Sequence, residues 1–148
     1  MAFRASASGA RAASRGSTIV RAIAVWALLM AVESLHGSFR MLVVSPRIGD
    51  RPAREVSVLT GTLLIFAITL GLVRWLGASS ARALLAIGLM WTALTVAFEC
   101  ALGRLVLGYD WNRIASDYDL AHGGLMGIGL LGMLLMPWLC SGIRDRPG

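Results

Sequence analysis

The sequence predicts an all-α membrane protein, a bundle of four transmembrane helices built from two parallel helical-hairpin repeats. Hydrophobic residues make up 57% of the 148-residue chain and charged residues only 15%, with a mean hydropathy of +0.72, which is far from the composition of soluble domains. Four apolar runs each approach the roughly 20 residues that a helix needs to cross the hydrocarbon core of a bilayer. Two halves of the chain also resemble each other at a constant offset.

The four apolar runs occupy about residues 18–36, 56–76, 83–106 and 120–140. Because the bilayer core holds no water to bond to backbone N–H and C=O groups, each run must form these hydrogen bonds within itself, as a helix does. A soluble helical bundle would need polar faces at the helical period, and residues 63–73 offer none. We therefore expect a single transmembrane domain over residues 18–148, with an uncleaved first span.

The segments between and before the spans have their own signals. Residues 1–17 are rich in Ala, Ser, Gly and Arg and contain no acidic residue, so we expect a disordered basic arm. Ser45-Pro46 is expected to break the helix within a charged loop after the first span. Gly77–Arg82 predicts a tight turn between spans 2 and 3, and Trp111–Asp117 a short amphipathic helix.

The distribution of arginine predicts the orientation. All 14 basic residues are Arg; eight lie on the side of the termini and six in the two longer loops. Because cytoplasmic segments carry the excess of positive charge, we expect both termini in the cytoplasm. The lipid bilayer is the expected partner. No basic patch interleaved with aromatics predicts nucleic-acid binding.

The repeat rests on an offset of 66 residues. Ala27–Gly37 returns as Ala93–Gly103 with Ala, Leu, Ala, Glu and Gly in register, which gives units of about 21–76 and 87–142. Each unit holds two spans, so the copies enter the membrane in the same orientation. Parallel copies predict a pseudo-two-fold axis along the membrane normal, with Glu33 and Glu99 at one depth, facing each other or equivalent grooves.

Intramembrane carboxylates are costly and normally find a partner. Glu33, His36 and Arg40 lie on one helical face, and Arg104 follows Glu99 by five residues. One interpretation is a pocket open to the outer side that exchanges a proton or cation. The other is that Arg40 and Arg104 neutralise the glutamates and only fix the helix register.

The segment after span 3 is the most polar and aromatic of the chain. It is either an aromatic belt at the interface or a cap that brings Arg113 and acidic side chains onto Glu99. The full candidate pocket combines both regions: Glu33, His36, Arg40, Glu99, Arg104, Asp110, Arg113, Asp117, Tyr118, Asp119 and His122.

Histidines and glycines give two further hypotheses. His36 and His122 permit b-haem or a metal between spans 1 and 4, although lone histidines are more simply explained as hydrogen-bonding residues at the interface. No metal site or cofactor is predicted. Gly37, Gly103, Gly123 and Gly127 are candidate helix-packing positions, and the G-x-x-x-G of span 4 could join a homo-oligomer or a larger complex.

Three stretches carry a resemblance: Glu33-Ser-Leu-His-Gly, Phe98-Glu-Cys-Ala-Leu-Gly-Arg and Gly108-Tyr-Asp-Trp-Asn-Arg-Ile-Ala-Ser-Asp-Tyr-Asp-Leu. From about Val20 to its end the chain resembles a group of small bacterial four-span inner-membrane proteins without an assigned activity. The resemblance implies an inner-membrane location and no functional residues.

The absence of catalytic motifs argues against an enzyme. We expect an accessory or interaction subunit of the membrane; the alternatives are a small transport or ligand-binding module using Glu33 and Glu99, and haem or metal binding through His36 and His122.

Overall fold

The computed structural model describes residues 2–119, 121 and 124–144, with side chains from residue 16 onward. These residues form helices and no strand, which confirms the all-helical prediction. Four helical segments are long and apolar enough to cross a membrane: Gly16–Ile48, Asp50–Leu72, Ala81–Val106 and Met126–Arg144. The architecture indicates a multi-pass membrane protein.

The helices follow one another with short connections. They are α1 (Ala2–Phe39), α2 (Ser45–Ile48), α3 (Asp50–Leu72), α4 (Ala81–Ala101), α5 (Trp111–Ser116) and α6 (Met126–Arg144), with π-helical segments at Arg40–Val44 and Leu102–Val106. The amphipathic helix expected at Trp111–Asp117 is present as α5. Helix α1 includes residues 2–17, where composition predicts disorder; Ala and Arg, which are frequent there, have high helix propensity.

The first span does not end near residue 36, and no twenty-residue loop follows it. The chain stays helical through the π-helical segment to Ile48, and one residue, Gly49, makes the turn with φ +89°. In the π-helical segment Ser45 N–H bonds to the carbonyl of Arg40, five residues back. Pro46 then falls in the first turn of α2, where its missing N–H costs little, so Ser45-Pro46 does not break the helix.

The four spans pack as a ring. Helix α1 packs against α3 and α4, and α6 packs against the same two helices, so α1 lies diagonal to α6. A two-fold axis along the membrane normal would instead place α1 diagonal to α4. The predicted pseudo-two-fold axis is therefore wrong for this bundle, whereas the duplication itself stays a prediction.

The core lies where the helices converge. Its buried members on α1 and α4 include Ala22, Val25, Leu29, Leu84 and Trp91, together with Met133, Met136 and Cys140 on α6. Trp91 is fully buried and donates its indole N–H to the Ala22 carbonyl at 2.8 Å. Since lipid tails are as apolar as these side chains, close packing and such hydrogen bonds hold the bundle together.

The bundle has two ends, a terminal end and a loop end. The terminal end carries Arg21, the 73–80 turn and Arg144, where the chain enters span 1 and leaves span 4. The loop end carries Gly49 and residues 107–119.

Candidate functional site

The strongest polar site lies between α1 and α3 and comprises Glu33, His36, Thr60 and Gly61; we call it the Glu33 site. His36 Nε2 lies 2.8 Å from Thr60 Oγ1, and His36 Nδ1 lies 3.7 Å from Glu33 Oε2. The His36 and Glu33 side chains are 18% and 26% exposed, so both are largely removed from solvent.

Helical geometry builds the Glu33 site. Glu33 and His36 are three residues apart and project from the same face of α1. Gly61 of α3 leaves room for the carboxyl group, because a Cβ at that position would lie 2.8 Å from Glu33 Oε2. A side chain at residue 61 would therefore displace the carboxylate from α3.

The hydrogen bonds of Thr60 restrict the protonation of His36. Thr60 Oγ1 lies 3.0 Å from the Val56 carbonyl, the acceptor that a helical threonine hydroxyl normally uses. When the hydroxyl hydrogen is donated to Val56, His36 Nε2 must donate its own N–H to Thr60. A neutral His36 then directs the Nδ1 lone pair at Glu33, which repels a carboxylate and accommodates a carboxylic acid. The arrangement suits a pair that holds one proton, either on His36 Nδ1 or on Glu33.

The second carboxyl oxygen of Glu33 also favours a Glu33–His36 pair that holds one proton. Glu33 Oε1 is buried and has no hydrogen-bond partner among the described residues. A charged oxygen left unpaired in a low-dielectric environment is costly, and protonation of the carboxyl group relieves that cost. The site therefore has the donor and acceptor pattern of a proton-binding pair.

The arginines expected to neutralise the glutamates bind elsewhere. Arg40 lies 3.5 Å from Asp50, which also pairs with Arg54. Arg104 donates to the Tyr109 carbonyl at 2.8 Å and lies over the Trp111 ring, 5.3 Å from its centroid. The interpretation in which each glutamate is closed by an arginine is therefore wrong.

Glu99 lies in a different environment from Glu33. It is exposed at the bundle surface, next to the Tyr118 side chain and Asp117. Burial raises the pKa of the Tyr118 hydroxyl, and the neighbouring Cys100, Glu99 and Asp117 raise it further. Tyr118 Oη is itself buried without a described partner. The described residues thus form two separate acidic sites and not one pocket containing both glutamates.

The segment after span 3 is held by its own side chains. Asp110 caps α5 by accepting from Arg113 N at 2.7 Å, and Arg113 pairs with Asp117 at 3.0 Å. Asp119 accepts from Ala121 N at 3.0 Å. Arg113 is therefore not directed onto Glu99, although the same segment brings Asp117 near it. His122 lies outside the described residues.

The predicted packing glycines divide in two groups. An added Cβ at Gly37 or Gly127 would have no atom of the described residues within 4 Å, so neither is a packing contact with them. An added Cβ at Gly103 would lie 3.2 Å from Ile114 Cδ1, so Gly103 is closely packed. Gly123 lies outside the described residues. The closest approach occurs at Gly88, which was not among the predicted glycines: an added Cβ there would lie 1.9 Å from the Leu134 carbonyl oxygen. Gly88 belongs to no G-x-x-x-G pair, so no motif identified it.

A cavity of about 370 Å³ lies at the terminal end, between the start of α4 and the end of α6. It does not touch the Glu33 site. Among the residues that the structure describes, no three His, Cys, Asp or Glu side chains are grouped to hold a metal ion. Because His122 is not described, the haem hypothesis stays a prediction.

The comparisons with known proteins give no relative. No protein-family model matches the chain, and neither a curated protein nor a solved structure is significantly similar to it. The class of the protein therefore rests on its architecture, four apolar helices in a bundle, and its function on the chemistry of the sites above.

Proposed function

We propose that this chain is a small proton-exchange module of a bacterial inner membrane, with both termini in the cytoplasm. This places it in the transport or ligand-binding class, with the Glu33 site as the proton-binding element. The observation that carries the proposal is the contact of His36 with Thr60 on one ring nitrogen and with Glu33 on the other, at 2.8 and 3.7 Å.

The position of the site supports this function. Glu33 is 12 residues beyond Arg21, about 18 Å along α1, which is the outer half of the hydrocarbon if the termini are cytoplasmic. Intramembrane ionisable groups typically mark ion pathways and proton relays. The His36 and Glu33 side chains remain partly exposed, so the pair is not sealed inside the bundle.

Among the described residues, His36 is the titratable side chain in contact with Glu33. The side chains that α3 presents there, Thr60 and Gly61, are uncharged. Helix α4 meets α1 through Trp91 and Thr95, also uncharged, and Arg40 is paired with Asp50. Loss or gain of one proton therefore changes the charge of the Glu33–His36 pair without compensation from a neighbouring ion pair.

The proposal is tested with the purified full chain in proteoliposomes. In infrared spectra we expect the carbonyl band of a protonated carboxylic acid, with an intensity that changes with pH. In vesicles with an imposed pH gradient we expect the protein to dissipate the gradient, as reported by a pH-sensitive dye inside. Glu33→Gln should abolish both signals. Glu55→Gln is the matched control, because Glu55 lies exposed in the first turns of α3, bonded to Arg51. Equal proton flux for the wild type and Glu33→Gln would refute the proposal.

A second candidate, an accessory or interaction subunit, is favoured by one observation on α6. An added Cβ at Gly127, Gly129 or Gly132 would have no atom of the described residues within 4 Å, so this helix presents small residues that the described part of the chain does not cover. Gly129→Leu should weaken association with a homo-oligomer or larger membrane complex and leave the monomer folded. Size-exclusion chromatography with light scattering measures this, and an unchanged mass would count against the second candidate.

A further inference from the structure

We propose that the cavity at the terminal end is a binding site for one anionic phospholipid. Three observations carry this inference: the amphiphilic lining of the cavity, the unbalanced positive charge around it, and the depth at which it lies. It is independent of the proton-exchange proposal, since the Glu33 site lies near the other end of the bundle.

The lining suits a lipid. Leu84, Trp138, Leu139 and Ile143 supply an apolar wall, and Ser79 and Ser141 supply polar groups at the level where the helices end. Trp138, Leu139 and Ile143 are 45%, 43% and 49% exposed, so this wall is open to the surrounding membrane. A phospholipid fits this lining with its acyl chain along the apolar wall and its headgroup beside the two serines.

The charge around the cavity suits an anion. All five ion pairs of the described residues lie at the loop end or in the Glu33 site. At the terminal end Arg21, Arg74 and Arg144 donate instead to backbone carbonyls, which are neutral. Their positive charge therefore remains uncompensated by any described carboxylate.

Two arginines adjoin the cavity lining in sequence: one is Arg144, which follows Ile143 and donates to the Gly71 carbonyl, and the other is Arg82. It follows Ala81, which contributes to the cavity, in the first turn of α4. It forms no ion pair or hydrogen bond with a described side chain and is exposed. A phosphate at the cavity mouth gives this guanidinium the anionic partner that the described part of the chain does not supply.

The depth selects a lipid as the occupant. Trp75 and Trp138 are both half exposed at this end, as is typical of tryptophans at the membrane interface. Anionic headgroups are concentrated at that level, and each nearby arginine favours them by about 1 kcal/mol, or about fivefold. A cavity that is apolar toward the hydrocarbon and positive toward the interface therefore selects phosphatidylglycerol over phosphatidylcholine.

The test uses the full chain in phosphatidylcholine vesicles that contain either brominated-chain phosphatidylglycerol or brominated-chain phosphatidylcholine at equal mole fraction. Bromine quenches tryptophan at contact, and the difference between wild type and Trp138→Phe isolates the Trp138 signal. We expect brominated phosphatidylglycerol to reach half-maximal quenching of Trp138 at a mole fraction about fivefold lower than brominated phosphatidylcholine requires. Added salt should reduce this preference.

Two substitutions identify the groups responsible. Arg82→Gln should remove most of the preference for phosphatidylglycerol, whereas Arg51→Gln, an exposed arginine at the loop end, should retain it. Ala81→Phe, which fills the cavity, should reduce quenching of Trp138 by both lipids. Equal quenching by the two lipids in the wild type, or a preference that survives Arg82→Gln, would overturn the inference.

Discussion

At the scale of single residues, Thr95 shows how one hydroxyl joins three helices. Thr95 is 5% exposed, accepts the Trp26 indole N–H at 3.1 Å and directs its own hydrogen toward Met133 Sδ at 3.1 Å. Thr95→Val would keep the shape and leave the Trp26 N–H without an acceptor. We expect a loss of about 1 kcal/mol in the free energy of unfolding, the scale of interhelical hydrogen bonds in membranes.

The measurement is unfolding of the purified protein in mixed micelles on titration with sodium dodecyl sulfate. Thr62→Val is the matched control, because Thr62 is exposed and bonds only to the Val58 carbonyl of its own helix. A Thr95→Val protein as stable as Thr62→Val would show that the Trp26 contact contributes nothing.

Tyr118 gives a pH dependence at the same scale. Burial raises the pKa of its hydroxyl in the folded state, and the neighbouring Cys100, Glu99 and Asp117 raise it further. The resulting contribution to stability is complete below the ordinary tyrosine pKa of about 10 and is lost as pH rises through the raised value. An alkaline titration followed by tyrosinate absorbance should show a step above that of free tyrosine, absent in Tyr118→Phe and retained in Tyr109→Phe. A Tyr118 step at the free-tyrosine pH would contradict the burial argument.

At the scale of elements, the α4–α6 contact depends on Gly88. Because the backbones meet there, a methyl group would overlap the Leu134 carbonyl and force the two helices apart. We expect Gly88→Ala to lower the free energy of unfolding by about 1–3 kcal/mol. Gly71→Ala is the opposite case, since its Cβ meets open space and alanine favours a helix over glycine. Stabilisation by both substitutions would mean that α4 and α6 do not touch at Gly88.

The sequence predicted the elements better than their junctions. Composition alone determines four spans, because only helices satisfy the backbone in a membrane. The continuation of span 1 to Ile48 was not predictable, since a π-helical turn has no sequence signature and removes the penalty that Pro46 would otherwise impose. The same limit applies at Leu102–Val106, where span 3 ends in a second π-helical segment.

The site was predicted in part, and for a clear reason. Helical spacing identified Glu33 and His36 as neighbours, which the 3.7 Å contact confirms. Spacing along one helix cannot show competition from other residues, so it missed Asp50 as the partner of Arg40. It also could not identify Thr60 and Gly61, which reach the site only through the packing of α3 on α1.

At the scale of the whole molecule, the number of spans makes a topological prediction. If all four apolar helices cross the membrane, both termini lie on one side and the turns at Gly49 and Gly108 on the other. Alkaline phosphatase, active only outside the cytoplasm, should therefore be active when fused at Gly49 or Gly108 and inactive at either terminus, as the arginine distribution predicts. Activity at the termini would reverse the orientation and move the Glu33 site toward the cytoplasm.

The order of helices around the ring has a consequence for biosynthesis. The polar contacts that join Trp26 and Ala22 of α1 to the rest of the core are made with Thr95 and Trp91, both 69 residues further along the chain. When the ribosome has delivered only the first hairpin, that face of α1 has no partner, and the Glu33 site between α1 and α3 can already form. The nascent protein can therefore hold its chemical site before its core, which needs side chains of both the third and the fourth span.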